Sequence, residues 1–418
     1  MQKNENRPGY KKTKVGWIPE DWECRLYGDS FSTIMDGTHF SPKSTSGFRR
    51  YLTSRNVRKG FLDLNTCLYI SDEEHEEIYK RCPVRFGQVL LTKDGANVGN
   101  ACLNVLNEEF SLLSSVAVLD SDSTVLINRY AIQWILSARG QYGLLSAIAG
   151  QAITRITLEA IASVGISLPP FPEQKAIAGV LECWDKAIRN YEKKIEKKRN
   201  IKRGLMQRLL SGKQRLSGFS GEWKEARLGN IADILDNRRI PLNGEIRSSM
   251  EGNIPYYGAN GILDYVNDYI FNEELVLVAE DGGHFDEYCS RPIAQLINGK
   301  AWVNNHAHVL RARNGENSFL FYSLVHRNIL KYLNGGTRAK LNKSELISIK
   351  LSYPFIKEQK AIASVLSAAD GEIEALERKL AILKDQKKFL LNNLVTGTIR
   401  LPQFRGGTTH TGADGDHA

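Results

Sequence analysis

The segment Glu173-Gln-Lys-Ala-Ile-Ala-Gly-Val-Leu181 occurs a second time as Glu358-Gln-Lys-Ala-Ile-Ala-Ser-Val-Leu366, with eight of nine residues identical. The correspondence continues without a gap at a separation of 185 residues, and it includes the pairs Asp185/Asp370, Leu209/Leu394, Gly212/Gly397 and Arg215/Arg400. A helix-length segment repeated within one chain indicates a protein that is built twice. We therefore expect two related binding positions for partners.

Both copies of the repeat have the pattern of a long helix that packs against another helix. Residues 173–210 contain no proline, and their apolar side chains recur every three or four positions, which predicts one apolar stripe. The second copy keeps apolar residues at heptad a and d positions, although Lys387 interrupts this seam. Helices of about 38 residues would each be roughly 57 Å long. Since a whole domain lies between them in sequence, we predict that they pair as an antiparallel coiled coil.

The apolar residues of this coiled coil are also the candidates for subunit docking. They are Ile177, Leu181, Trp184, Ile188 and Ile195 in the first helix and Ile373, Leu376, Leu380, Leu383 and Leu394 in the second. The flank at residues 193–203 is densely basic. This charge suits either a solvated coiled-coil surface or a surface that follows phosphates or docks a subunit.

The residues before each helix have the character of α/β modules. Strand-like runs at residues 89–92, 115–119, 275–279 and 308–310 are separated by turn sequences, and helical patterns occur at 128–138 and 317–333. The predicted fold is two α/β (α+β) domains, separated by a long antiparallel two-helix coiled coil, with a pseudo-two-fold internal repeat. We expect the domains at residues 1–168 and 213–352, the helical regions at 169–212 and 353–402, and a disordered tail at 403–418.

Composition favours a cytoplasmic protein with an anionic partner. The net charge of +9 and the pI of about 9.1 point to nucleic acid before membrane, although an ordinary basic protein has the same balance. The six cysteines form no CxxC pair, as is typical of reduced thiols in the cytosol. We expect no membrane partner, because no apolar run approaches the ~20 residues of a span and no signal peptide is visible.

Motifs that would indicate catalysis in this chain are absent. Gly212-Lys213 is followed by Gln, so it does not form a phosphate-binding loop. Leu168-Pro-Pro-Phe171 has leucine where adenine methyltransferases have Asn or Asp to hold the target amino group. His306 and His308 would share one face of a strand, but a third metal ligand at telling spacing is not evident. We prefer a polar histidine pair near DNA or in a hydrogen-bonded loop, and expect no metal and no catalytic residue.

Side chains suited to DNA are numerous in both α/β blocks. Arg and Asn can form paired hydrogen bonds to guanine and adenine edges, and Lys can contact phosphates. Taken singly, each such residue is more often an ordinary surface charge, and the shared bias of the set is more informative than any member. The candidates are Lys43, Arg49, Arg50, Arg55, Arg58, Lys59 and Lys93 in the first block and Arg238, Arg239, Tyr256, Tyr257, Asn260, Asn304, Asn305, His306, Arg338 and Lys340 in the second.

Together these motifs resemble the specificity subunit of type I restriction–modification enzymes. The most specific is Pro169-Pro-Phe-Pro-Glu-Gln-Lys-Ala-Ile-Ala178 before a long helix that ends in Leu-Leu-Ser-Gly212, with its second copy. Trp22/Leu26 and Trp223/Leu228 resemble the family's domain-opening segment, and residues 87–95, 254–261 and 302–310 are similar to its strand-and-turn patterns. The resemblance covers residues 15–402.

The resemblance implies a non-catalytic subunit that reads a split double-stranded DNA sequence with two target recognition domains. The coiled coil would set the distance between the half-sites and dock two modification subunits, and two restriction subunits would complete the nuclease. S-adenosylmethionine, ATP and Mg²⁺ are expected on those partners and no cofactor on this chain. Two other interpretations remain open: a coiled-coil scaffold without DNA readout, and an unrecognised DNA methyltransferase or nuclease.

Overall fold

The chain forms two compact units, each of which contains one α/β domain and parts of both long helices. The computed structural model describes residues 7–44, 46–121, 124–148, 154–334 and 339–405. The first unit consists of residues 1–191 and 379–418, and the second unit of residues 192–378. The first unit is therefore discontinuous in sequence, whereas the second is continuous. Each unit therefore groups parts of both long helices with one α/β domain.

Within the described residues, the domain of the first unit consists of short strands and five short helices. The strands are β1 (Tyr10–Thr13), β2 (Gly16–Pro19), β3 (Glu23–Leu26), β4 (Phe31–Asp36), β5 (Arg49–Leu52), β6 (Val57–Arg58), β7 (Phe61–Leu62), β8 (Leu68–Ile70), β9 (Val89–Thr92), β10 (Ala101–Leu103), β11 (Ser111–Leu112), β12 (Val116–Ser121) and β13 (Gly165–Leu168). The helices are α1 (Tyr27–Ser30), α2 (Asp72–Arg81), α3 (Asn128–Leu136), α4 (Ala138–Ser146) and α5 (Leu158–Ala162), and the long helix α6 (Phe171–Leu209) follows.

The domain of the second unit has a similar content. Its strands are β14 (Lys224–Arg227), β15 (Ala232–Ile234), β16 (Glu251–Gly258), β17 (Gly261–Val266), β18 (Phe271–Asn272), β19 (Leu275–Ala279), β20 (Ala294–Ile297), β21 (Lys300–Val303), β22 (Ala307–Ala312) and β23 (Lys350–Tyr353). Its helices are α7 (Leu228–Ile231), α8 (Gly244–Ser249), α9 (Asn317–Leu324) and α10 (Lys343–Ser348), and the long helix α11 (Ile356–Leu394) follows. Short 3₁₀ turns occur at Asp236–Arg238, Leu330–Tyr332 and Pro402–Phe404.

The two domains repeat one sheet topology. The central sheet of the first has the order β10-β9-β12-β4, and that of the second has the matching order β20-β19-β22-β15, with all neighbours antiparallel. Both domains also have a two-stranded sheet, β3 with β13 and β14 with β23, which joins the start of the domain to the strand before the long helix. The two domains thus share a common fold.

Each long helix begins and ends in a hydrophobic core of a domain. In the first unit, Ile177, Ala178 and Leu181 of α6 are buried together with Leu391 and Leu394 of α11. The second unit has the same core, built from the equivalent residues of the repeat. Ile362, Ala363 and Leu366 of α11 are buried together with Met206 and Leu209 of α6. Apolar burial at both ends stabilises helices whose middle sections are polar.

The two helices are antiparallel within each unit. In the first unit, Lys387 pairs with Asp185 at 2.6 Å. In the second unit, Lys202 pairs with Asp370, and these are the equivalent positions of the repeat. Lys387, which seemed to interrupt the apolar seam, is therefore one half of a repeated ion pair. Of the predicted coiled-coil residues, Ile177, Leu181, Ile188, Ile195, Ile373 and Leu394 are buried, and Trp184, Leu376, Leu380 and Leu383 are half-buried.

A buried glutamate at the start of each long helix binds an arginine that follows the other helix. Glu173 is fully buried, and its two carboxylate oxygens accept hydrogen bonds from Arg400 at 3.0 and 2.6 Å. In the second unit, Glu358 accepts the corresponding bonds from Arg215 at 2.5 and 2.6 Å. Each guanidinium also lies over a tryptophan ring, Trp22 or Trp223. These paired hydrogen bonds fix where each helix begins relative to the end of the other.

The glutamine of the repeat ties each long helix to its own domain. Gln174 donates to the carbonyl oxygen of Pro169 at 3.0 Å and accepts from the backbone N–H of Ile127 at 3.2 Å. Gln359 makes the same two contacts, to Pro354 at 2.9 Å and from Glu316 at 3.1 Å. The repeated Glu-Gln pair thus accounts for both the helix–helix and the helix–domain contacts.

The six cysteines are free thiols, in agreement with the expectation from their spacing. Among the described residues, no helix combines the length and apolarity that crossing a bilayer requires.

Replacing Arg400 should destabilise the first unit strongly. Arg400→Gln leaves a fully buried carboxylate without its counter-ion, and we expect the free energy of unfolding to fall by roughly 3 kcal/mol. Arg378→Gln is the control, because Arg378 pairs with Glu374 on the exposed surface of α11 and its loss should cost less than about 0.5 kcal/mol. Urea unfolding of both variants measures the difference. Equal midpoints would show that Glu173 does not depend on Arg400.

Candidate nucleic-acid interface

In the second unit, loops from several strands meet at one edge of the central sheet. Strand β19 runs into Glu280-Asp-Gly282, and Asn304-Asn-His306 leads into its neighbour β22. The segment after β15 reaches the same edge, and Asn260 in the β16–β17 turn donates to the carbonyl of Gly282 at 2.8 Å. We refer to these four segments, together with Lys340, as the loop edge of the second domain. It presents amide, imidazole and ammonium groups, which can hydrogen-bond to base edges or phosphates.

The first domain has an equivalent loop edge, built from Lys93-Asp-Gly95 after β9, Ser114-Ser115 before β12 and the end of β4. The backbone bonds of the two edges match. The N–H of Lys93 donates to Ser115 at 2.9 Å, and the N–H of Glu280 donates to His306 at 2.8 Å. The same framework therefore carries different side chains in the two domains.

A charged side chain lies beneath each loop edge, and its sign differs between the domains: Lys93 is buried, whereas Glu280 is partly buried, with its side chain 13% exposed. Lys93 is 1% exposed, and its ammonium lies 3.3 Å from Asp36 and 3.4 Å from Asp94. At the matching position, Glu280 lies 2.7 Å from Arg239 and 3.1 Å from Lys340. Sequence reasoning singled out Lys93 but missed Glu280. A sequence signal for Glu280 exists, because Lys93-Asp-Gly95 and Glu280-Asp-Gly282 each follow a mostly apolar run of residues.

Several predicted DNA-binding residues lie in the interior and support the loops from below. They are not exposed in this structure, and their role in DNA binding stays a prediction. Lys93 is enclosed by carboxylates, and Arg239 is nearly buried, donating to Glu280 and to the carbonyl of Ala307 at 2.8 Å. Tyr256 is 2% exposed and its hydroxyl accepts from the N–H of Leu242 at 3.1 Å. Asn304 is 4% exposed and its side-chain oxygen accepts from the N–H of His306 at 2.8 Å.

Other predicted residues reach the surface but already have acidic partners. Arg49 binds Asp72 at 2.7 Å, Arg50 pairs with Glu108, Arg58 lies 3.7 Å from Asp63, and Arg238 lies 3.3 Å from Glu273 and stacks over Phe271. These acidic partners partly neutralise the positive charges of the four arginines in the structure without DNA.

The remaining predicted residues are accessible at the surface or partly so. Lys43, Arg55, Asn260 and Asn305 are exposed, Tyr257, His306 and Lys340 are partly buried, and Lys59 is exposed. His306 bonds to Asp281 at 2.6 Å. Arg338 lies outside the described residues. The candidates chosen from the sequence do not include two exposed aromatic residues. Phe48 is 91% exposed beside Arg49, and Tyr265 is 51% exposed on the β16–β17 hairpin.

His308 belongs to an ion-pair network beneath the second loop edge. Its two ring nitrogens contact the Asp236 carboxylate and the Leu341 carbonyl, each at 2.7 Å. Burial by itself disfavours the charged carboxyl, yet the hydrogen bond with His308 holds the pKa of Asp236 below its ordinary value. Asp236, Glu280 and His308 are close enough to hold a metal ion. Arg239 and Lys340 already contribute the positive charge that Glu280 requires.

The chain matches a known family over most of its length. Residues 19–198 and 220–384 each match the family described as the type I restriction modification DNA specificity domain. The chain belongs to this family, as the resemblance of its repeat had indicated.

Individual relatives agree with this assignment. The putative type I restriction enzyme MjaX specificity subunit of Methanocaldococcus jannaschii is 26% identical over 427 aligned positions, which cover 94% of this chain and 97% of that protein. A putative type I specificity subunit of Haemophilus influenzae, S.HindORF215P, is 42% identical over 154 residues, which span 38% of its length.

Solved structures show the same fold. The S subunit of a type I system from M. genitalium superposes with a TM-score of 0.62 over 90% of this chain and 96% of that chain, at 18% identity. A chain solved in work on complex assembly of the type I R-M system gives a TM-score of 0.54 at 17% identity. Specificity subunits are non-catalytic DNA-recognition components that assemble with other subunits of these systems, and this chain is accordingly not an enzyme.

Arg55 is the predicted cation that we expect to contact phosphate most directly. Its side chain is exposed and has no ion-pair partner among the residues that the structure describes. Arg55→Ala should weaken DNA binding about three- to tenfold and reduce the slope of log affinity against log salt by about 1. Arg49→Ala is the matched control, because Asp72 already neutralises Arg49. Binding isotherms of the assembled complex at several salt concentrations test this. Identical slopes for Arg55→Ala and the parent would remove Arg55 from the interface.

Proposed function

We propose that this chain reads a bipartite double-stranded DNA target, one half-site with each domain, and docks the modification subunits of a type I system on its helices. The observation that carries the proposal is the repeated loop edge. Matching strands and matching backbone hydrogen bonds hold different side chains in the two domains. A device that reads two different half-sites needs this combination, because base readout depends on side chains while docking geometry depends on the framework.

The charges on the loop edges support DNA as the ligand. In the second domain, exposed Asn260 and Asn305 flank His306 and Lys340. Amide groups suit adenine edges, and cations suit phosphates. In the first domain, exposed Arg55 lies next to the loop edge, because the backbone N–H of the preceding residue Ser54 donates to the Ser115 hydroxyl at 3.2 Å. Exposed Lys43 lies outside the loop edge, before β5. We infer that these groups contact DNA while the buried groups beneath them keep the loops in place.

The long helices support docking of partner subunits. On α11, Ile382 and Phe389 are 56% and 58% exposed, and they lie seven residues apart on one side of the helix. The basic stretch of α6 forms ion pairs with α11 in the second unit, between Lys198 and Glu372 at 2.7 Å and between Arg199 and Glu377 at 2.5 Å. Part of this stretch therefore specifies the helix pairing.

We propose that two modification subunits dock here, in the prokaryotic cytoplasm, and that two restriction subunits complete the nuclease. S-adenosylmethionine, ATP and Mg²⁺ would bind to those partners, because methyl transfer and DNA cleavage would take place there.

Lengthening both helices should lengthen the spacer between the half-sites. We propose to insert four residues after Tyr191 and four after Leu376, which are equivalent positions of the repeat. One added turn extends a helix by about 6 Å, against about 3.4 Å for each base pair. The methylated target should then have a spacer longer by one or two base pairs, with both half-sites unchanged. Methylome sequencing of cells that express the complex measures the spacer. An unchanged spacer would show that the long helices do not set the distance between the half-sites.

Phe389 should contribute to binding of a modification subunit. Phe389→Gln removes a large exposed apolar group. We expect the affinity of this chain for the modification subunit to fall by about tenfold or more. Phe86→Gln is the matched control, because Phe86 is similarly exposed but lies on the domain and not on a helix. Titration calorimetry with purified modification subunit compares the two. Equal affinities would place docking elsewhere.

A further inference from the structure

We propose that Glu280 and Lys93 are positioning residues, each of which holds the DNA-reading loops of its own domain in place from below. This assignment rests on the proposed function, since it takes the loop edges to be the surfaces that contact DNA. Neither side chain needs to touch DNA for this role. Each acts through the charged groups and backbone segments that it joins.

The backbone places both residues at the same junction of loops. The carbonyl of Glu280 accepts from the N–H of Leu341 at 2.7 Å, and the carbonyl of Lys93 accepts from the N–H of Ile156 at 2.9 Å. With the bonds to Ser115 and His306, Lys93 joins the end of β9 to the loop before its sheet neighbour β12, and Glu280 joins the end of β19 to the loop before its sheet neighbour β22. Each residue is also bonded to the segment before a short helix, α5 or α10.

The Glu280 carboxylate extends this junction to further segments. One oxygen lies 2.7 Å from Arg239, which follows β15, and the other lies 3.1 Å from Lys340. Arg239 also donates to the carbonyls of Asn305 and Ala307, at 3.3 and 2.8 Å. A single carboxylate therefore couples three segments of the loop edge, including the one that presents Asn305 and His306.

Lys93 connects loop segments of the first domain in the same way, but through a positive charge. Its ammonium joins Asp36, at the end of β4, to Asp94, and Arg155 in turn lies 3.2 Å from Asp94. A buried ion without its partners is strongly unfavourable, so the loops that bring these partners must remain where they are. The sign reversal also means that the ion cannot be exchanged alone: a lysine at position 280 would face Arg239 and Lys340.

The assignment predicts that each residue affects one half-site only. In the full chain assembled with modification subunits, Glu280→Gln should reduce discrimination against base changes in one half-site by about tenfold, while discrimination at the other half-site is retained. Lys93→Met should show the reverse pattern. Affinities for the parent target and for targets mutated in either half-site measure both effects.

A matched control separates positioning from general stability. Asp233 forms ion pairs with Arg311 and Arg313, at 3.2 and 2.9 Å, and among the described residues neither of these arginines belongs to the loop edge. Asp233→Asn should therefore leave both discrimination ratios unchanged. If Glu280→Gln lacks the urea transition of the parent, Glu280→Asp decides the question, since it keeps the charge but is too short to reach Arg239 and Lys340 together.

Three outcomes would overturn the assignment: unchanged discrimination in folded Glu280 variants, equal losses at both half-sites, or the same loss in Asp233→Asn. A parent complex that shows no dependence on two half-sites would instead refute the proposed function, and this assignment with it.

Discussion

A buried carboxylate at the start of each long helix is the constraint on which both units depend. Glu173 and Glu358 are almost completely removed from water, and an ion in that position is tolerated only with a counter-ion and good hydrogen bonds. The counter-ions are Arg400 and Arg215, each of which follows the opposite helix. The start of each helix is therefore fixed by a residue that follows the other helix, and the repeated segment supplies the same contact in both units.

The sequence predicted the long helices well because their information is local. Proline before the helix, apolar residues at regular spacing and glycine after it gave bounds within two residues of Phe171–Leu209. The role of Lys387 was not predictable in the same way. Its partner Asp185 lies far away in sequence, and an ion pair across a coiled coil depends on which residues the packing brings opposite one another.

The residue types of the candidate interface could be chosen from the sequence, but the exposure of those residues could not. Arg, Lys, Asn and Tyr were selected for the hydrogen bonds that they can make, yet Lys93, Arg239, Tyr256 and Asn304 face inwards. Whether such a side chain faces solvent depends on neighbours from other strands, such as Asp36 for Lys93. Exposed Arg55 and Asn305 have the same chemistry without those neighbours, and sequence alone does not distinguish the two cases.

The discontinuity of the first unit has a consequence for synthesis of the chain. Its core includes Leu391, Leu394 and Val395, which leave the ribosome only after the whole second unit has been made. At about 5–20 residues per second, the N-terminal domain waits roughly 10–40 s for these residues. The second unit therefore has all its residues before the first unit does, although the first unit contains the start of the chain. A chain that stops prematurely in α11 would leave the N-terminal domain without part of its core.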